Sequence, residues 1–66
     1  MTLLINGERR ENVRSKTVGE LVAELGLPAP AVLVEHNGNA LRRTEWEGCL
    51  LAEGDRLEVI RIVAGG

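Results

Sequence analysis

The stretch "TVGELVAELGLP" (17–28) is where the chain changes its period. Val18, Leu21, Val22 and Leu25 fall at i, i+3, i+4 and i+7, one stripe of an amphipathic helix. Thr17 followed three positions later by Glu20 reads as a capping box at the start. Gly26 reads as a left-handed cap at the end, with Pro28 just beyond. A helix this short is marginal in water, so its stripe must lie on a sheet. Burying the stripe supplies roughly 1.5–3 kcal/mol per side chain before conformational entropy is subtracted.

Strand signals lie on both sides. "TLLIN" (2–6) is an aliphatic run closed by Asn6-Gly7, a dipeptide that supplies the positive φ angles of a tight hairpin turn. "RRENV" (9–13) returns as an edge strand whose charges discourage edge-to-edge pairing. After the helix, "AVLVEH" (31–36) is a third strand, Asn37-Gly38 a second turn, and "NAL" (39–41) the start of a fourth strand. Thr44 to Glu47 read as one helical turn stopped by Gly48, and Glu53-Gly54-Asp55 as a turn. "RLEVIRIV" (56–63) is the last and strongest strand. The order β-β-α-β-β-β predicts an α+β fold, the ubiquitin-like β-grasp roll. In it a mixed sheet of four or five strands carries one main helix on one face. Its first and last strands lie parallel at the centre, joined by a crossover. Residues 1–62 are expected to form the domain and 63–66 a flexible tail.

Composition narrows the function. At 66 residues the chain makes one domain and buries only about 60% of its unfolded surface, so a deep internal active site is not expected. Trp46 is the one aromatic residue, which predicts a core of Val, Leu and Ile. The net charge of −2, with both signs interleaved, argues against a nucleic-acid partner, which needs clustered basic charge. No run is long enough to cross a bilayer and no signal peptide opens the chain. One cysteine, Cys49, can form no internal disulfide and no zinc cluster, so a reduced, cytoplasmic protein without a metal is expected.

Few side chains suggest chemistry. His36, the single histidine, has no nucleophile or carboxylate at a recognisable motif spacing, and Cys49 beside Leu50 and Leu51 reads as a small buried hydrophobe. No phosphate-binding loop or nucleophile elbow is present. What remains is the end of the chain, Val63-Ala64-Gly65-Gly66. Glycines without Cβ atoms make a thin backbone that can thread a narrow channel. Four extended residues reach about 13 Å at roughly 3.3 Å each. A partner enzyme can thus receive the Gly66 carboxylate while it docks the folded body. In the last strand Leu57 and Val59 share one face and Ile60 and Ile62 the other. Either Ile60 and Ile62 form an exposed partner-docking patch beside the tail, or the 42–51 segment folds over them.

Three segments carry a family resemblance. "VLVEHNG" (32–38), "LRRTEW" (41–46) and "LAEGDRLEVIRIVAGG" (51–66) resemble the ThiS family, the sulfur carriers of thiamin biosynthesis. The matching positions are Val32, Val34, Glu35, Asn37 and Gly38, then Arg43 and Trp46, then Gly54, Asp55, Gly65 and Gly66. Arg42 stands where that family often has proline. The resemblance implies a non-enzymatic carrier that binds no metal or cofactor itself. A ThiF-like adenylyltransferase would activate Gly66 with ATP, and a sulfur donor such as a cysteine desulfurase system would supply sulfur. The resulting C-terminal thiocarboxylate, a 1-thioglycine, would serve the thiazole synthase ThiG. The small subunit of molybdopterin synthase and a ubiquitin-like protein modifier share the same outline and stand as alternatives.

Overall fold

The computed structural model describes residues 1–62; the tail assigned to 63–66, including Val63 at the expected end of the last strand, lies outside the described residues. Strands β1 (Leu3–Ile5) and β2 (Glu8–Arg10) form the first hairpin, and helix α1 (Val18–Glu24) follows. Strands β3 (Val32–His36) and β4 (Asn39–Leu41) form the second hairpin, and β5 (Arg56–Arg61) closes the sheet. The order across the sheet is β2-β1-β5-β3-β4, with β1 and β5 parallel and the other pairs antiparallel. The last strand is therefore central, as the β-grasp reading requires. Among the described residues no helix is long and apolar enough to cross a membrane.

The local signals act as their chemistry predicts, with small displacements. Both Asn-Gly pairs hold positive φ at both residues, 52° and 79° for Asn6-Gly7 and 49° and 86° for Asn37-Gly38, the geometry of two-residue hairpins. Thr17 caps α1 by accepting from the Glu20 backbone N–H at 3.1 Å. The reciprocal half of the box is shifted by one residue: the Glu20 carboxylate accepts from the Lys16 N–H at 2.9 Å. Gly26, at φ +72°, ends the helix in a Schellman arrangement. Its N–H reaches the Ala23 carbonyl, and the Leu27 N–H reaches the Val22 carbonyl. The turn expected at 44–47 is a 3-10 turn at Arg43–Glu45 with Trp46 as its cap. A second 3-10 turn at Ala29–Ala31 was not expected; its Pro30 fits a first turn, which lacks intrahelical N–H bonds in any case.

Helix and sheet meet through Leu3 and Ile5 of β1, Val18, Leu21 and Val22 of α1, Val32 and Val34 of β3, and Leu57 and Val59 of β5. The expectation of a purely aliphatic core is corrected by Trp46, which is 4% exposed and belongs to the same cluster. Its position is held by backbone bonds, since the Trp46 carbonyl accepts from both Gly19 and Cys49. In a domain this small one large ring fills volume that several aliphatic side chains would otherwise have to supply. Leu57 is 1% exposed and Ile60, three residues on in the same strand, is 51% exposed. Leu57→Ala should therefore cost about 2–5 kcal/mol in urea unfolding. Ile60→Ala should cost well under half of that; equal losses would show the two faces to be wrongly assigned.

The turn entering β5 is built on Asp55. Its carboxylate accepts from the Ala52 N–H at 2.8 Å and the Asn37 side-chain amide at 3.1 Å, and it contacts His36 Nε2 at 2.8 Å. Burial alone would push the Asp55 carboxyl up, but the bonds from His36, Ala52 and Asn37 outweigh it and hold the carboxyl below its ordinary 3.8. A depressed carboxyl stabilises the fold above its unfolded value and loses that contribution as pH falls through its folded value. Unfolding measured from pH 6 down to pH 2 should accordingly show an acid limb beginning near pH 4 to 5, roughly where a free carboxyl titrates. Asp55→Asn should flatten that limb, and an identical pH dependence in both proteins would contradict it.

Candidate functional site

The site read from the sequence has two parts, the end of the chain and the sheet face beside it. The structure shows how the first is approached. β5 runs between β1 and β3, and the Ile62 N–H donates to the Ala31 carbonyl at 2.6 Å, just past the last paired residue of the strand. The chain is thus fixed to the sheet up to Ile62. Val63, Ala64, Gly65 and Gly66 lie outside the described residues.

The sheet face beside the chain end is exposed, and it carries more apolar residues than the sequence reading named. Strand alternation places Leu57 and Val59 under α1 and turns Ile60 and Ile62 to the opposite face, where they are 51% and 47% exposed. The 42–51 segment does not cover them, because Trp46 carries that segment to the helix side of the sheet. Leu33, 54% exposed, lies directly opposite Ile60 in the β3–β5 register. Leu4 is exposed on the same face of β1, opposite Arg56. The sequence reading did not single out Leu33 or Leu4. The signal was available: each sits between two residues that face the core, Val32 and Val34 for Leu33, Leu3 and Ile5 for Leu4.

The register gives this face a charge pattern as well. Glu35 and Glu58 stand opposite each other next to the Leu33–Ile60 pair, on exposed positions of neighbouring strands. Like charges in that relation repel weakly in water. Apolar side chains and an acidic pair therefore share the open face of the central strands.

His36 and Cys49 take positions that neither residue's sequence context suggested. His36 Nε2 lies 2.8 Å from Asp55 Oδ2, and Cys49 Sγ lies 3.5 Å from His36 Nδ1. No motif spacing marked a partner for His36, and the fold supplies two, from residues 13 and 19 positions away in the chain. Cys49 is half-buried rather than a sealed core residue. Burial pushes its thiol up, and the carboxylates of Asp55 and Glu45 push it further. Among the described residues no group of three His, Cys, Asp or Glu side chains is placed to hold a metal ion.

Comparison with known proteins places this architecture. The ThiS family model matches residues 3–66. The crystal structure of the thiamine biosynthesis protein ThiS from Geobacter metallireducens superposes with a TM-score of 0.82 at 32% identity, covering all of both chains. The solution structure of a thiamine biosynthesis protein from the same organism gives 0.81 at 32% identity, over all of this chain and 88% of that one. The whole chain is also 36% identical to part of a thiazole synthase of Paramagnetospirillum magneticum, and spans only 20% of that protein's length. A further relative, the ycf40 protein of Trieres chinensis, is 23% identical over 98% of this chain and 89% of its own. A family match through nearly every residue, joined to the same fold at 32% identity, is sufficient: the chain belongs to the ThiS family.

Proposed function

We propose that the chain is a sulfur carrier for thiazole formation in thiamin biosynthesis, with the Gly66 carboxylate as its reactive group. The observation that carries this reading is the family match, which extends to residue 66 and so includes Gly65-Gly66. The chemistry follows from what a carboxylate lacks. It is a poor electrophile, so an adenylating enzyme of the ThiF type joins it to the α-phosphate of ATP and releases pyrophosphate. A persulfide from a desulfurase-type donor then displaces AMP, which departs with one carboxylate oxygen, and a thiol reductant cleaves the S–S bond of the resulting acyl disulfide, leaving its sulfur on the carbonyl. The result is a thiocarboxylate on Gly66, and the carrier is a co-substrate rather than a catalyst. ATP belongs to the partner.

The receiving enzyme in this proposal is a ThiG-type thiazole synthase. The similarity to a segment of a protein named thiazole synthase supports that choice, since there a related sequence is joined covalently to the rest of that chain. Gly65, Ala64 and Val63 are the thin tether that enters each partner's active site. Leu33, Ile60 and Ile62 are the surface on which the partner body rests. They lie on the central strands whose end is tied at Ala31, so docking there fixes where the tether begins.

Two experiments test the two parts. Intact mass after incubation with a ThiF-type enzyme, ATP and a sulfur donor should show sulfur replacing oxygen on the wild-type chain and no change when Gly66 is deleted. Loading of the deleted chain, or stable isopeptide adducts in place of the thiocarboxylate, would reject the carrier reading. Ile60→Asp, at an exposed position, should leave urea unfolding nearly unchanged. It should weaken loading by roughly ten- to a hundredfold in kcat/KM, the equivalent of one apolar side chain no longer buried at an interface. Full loading efficiency in that variant would place docking elsewhere.

A further inference from the structure

Helix α1 and the 43–47 segment border a half-open cavity of about 310 Å³ on the helix side of the sheet. Leu33 and Ile60 lie on the other face, so the cavity is separate from the surface assigned to partners. Its walls are apolar, formed by Val22, Leu27 and Ala29 with Trp46, and Arg43 and Glu47 stand beside them. A volume of this order, with an apolar lining and few polar groups, suits a small-molecule site.

The lining is left unsatisfied in three ways. Trp46 is 4% exposed, and its buried indole N–H has no hydrogen-bond partner among the described residues. A buried donor without a partner is costly and calls for an acceptor. Arg43 and Glu47 are both exposed, four positions apart, and neither is in an ion pair among the described residues. They offer one charge of each sign beside the cavity. Gly19 forms part of the wall from α1. A Cβ there would meet only ordinary contacts, 3.6 Å from Glu47 Oε1 and 3.7 Å from Trp46 Cβ, and its φ is not left-handed. Neither the backbone nor the packing demands glycine at this helical position, where alanine is the better former. The effect of glycine there is to keep the wall open.

We propose that this cavity binds a small apolar zwitterion, an α-amino acid whose side chain is apolar but carries one hydrogen-bond acceptor. The ligand carboxylate pairs with the Arg43 guanidinium, whose planar fork takes both oxygens, and the ammonium pairs with Glu47. The side chain packs against Val22, Leu27 and the Trp46 ring, and its acceptor meets the unpaired indole N–H. Methionine has this combination, with a thioether that also packs well against an aromatic ring. The two charges set the selectivity. A plain carboxylic acid meets the repulsion of Glu47, and a plain amine that of Arg43.

The test uses the full chain and needs no partner enzyme, so it stands or falls apart from the carrier reading. Trp46 is the one tryptophan, and the chain has no tyrosine or phenylalanine, so its emission reports on the cavity. Titration with L-methionine should change that emission saturably, with a Kd of about 1 mM or tighter, which is within reach of a ligand of this size. N-acetyl-L-methionine lacks the ammonium and L-methionine methyl ester lacks the carboxylate. Each should bind at least about tenfold more weakly, the loss of one charge-assisted contact. Arg43→Gln and Glu47→Gln, at exposed positions, should each weaken L-methionine by a similar factor while urea unfolding stays nearly unchanged. Gly19→Ala should unfold at a higher urea concentration than the wild type and yet bind more weakly, a pairing that a purely structural glycine would not give. No saturable change with L-methionine, equal binding of the acetylated compound, or unchanged affinity in either charge variant would overturn the proposal.

Discussion

The whole structure depends on β5 being held from both sides. It is the one strand that joins the two hairpins, through a parallel ladder to β1 and an antiparallel ladder to β3. A parallel pair of this kind needs a long crossover, and α1 with the segments around it provides one. The short parallel ladder pairs only Leu4 with Arg56 and Ile5 with Leu57. Asn6 extends it: its side-chain amide donates to the Val59 carbonyl at 3.0 Å and accepts from the Val59 N–H at 2.8 Å, as a further strand residue would. On the other side Asn37 accepts from the Arg56 N–H through its side chain and donates to the Arg56 carbonyl through its backbone, both at 2.8 Å. The asparagines of the two hairpin turns thus both grip the central strand.

This double use of asparagine explains how far the sequence could be read. Asn-Gly announces a hairpin because both residues accept positive φ, and both hairpins were legible for that reason. That the same side chains also bond to β5 was not legible, since the contacts run 53 positions for Asn6 and 19 for Asn37. The helix was legible to within a residue because its period, its cap and its terminating glycine are all local. Trp46 was misplaced as an isolated aromatic because no period surrounds it. Its burial depends on where the 43–48 segment crosses α1, and that is a tertiary matter.

The same distinction separates the two candidate sites. The apolar face follows from strand alternation once β5 is known to be central, so Ile60 and Ile62 could be named in advance. Leu33 stands in a run that reads as continuously apolar, "AVLV", and only its place between Val32 and Val34 turns it outward. The cluster around His36 could not be read at all. Its members come from the end of β3, the loop after the 3-10 turn and the turn into β5, and none of those segments carries a motif for the others.

The central position of β5 also settles how these features relate. A strand bonded on both sides cannot shift its register without breaking two ladders and both asparagine bridges. Its exposed residues and the point where Ile62 is tied are therefore fixed relative to each other. Asp55 lies at the opposite end of the same strand, where its carboxylate fixes the turn and the neighbouring histidine together. One rigid element thus carries an exposed apolar face towards one end and the Asp55–His36 contact at the other.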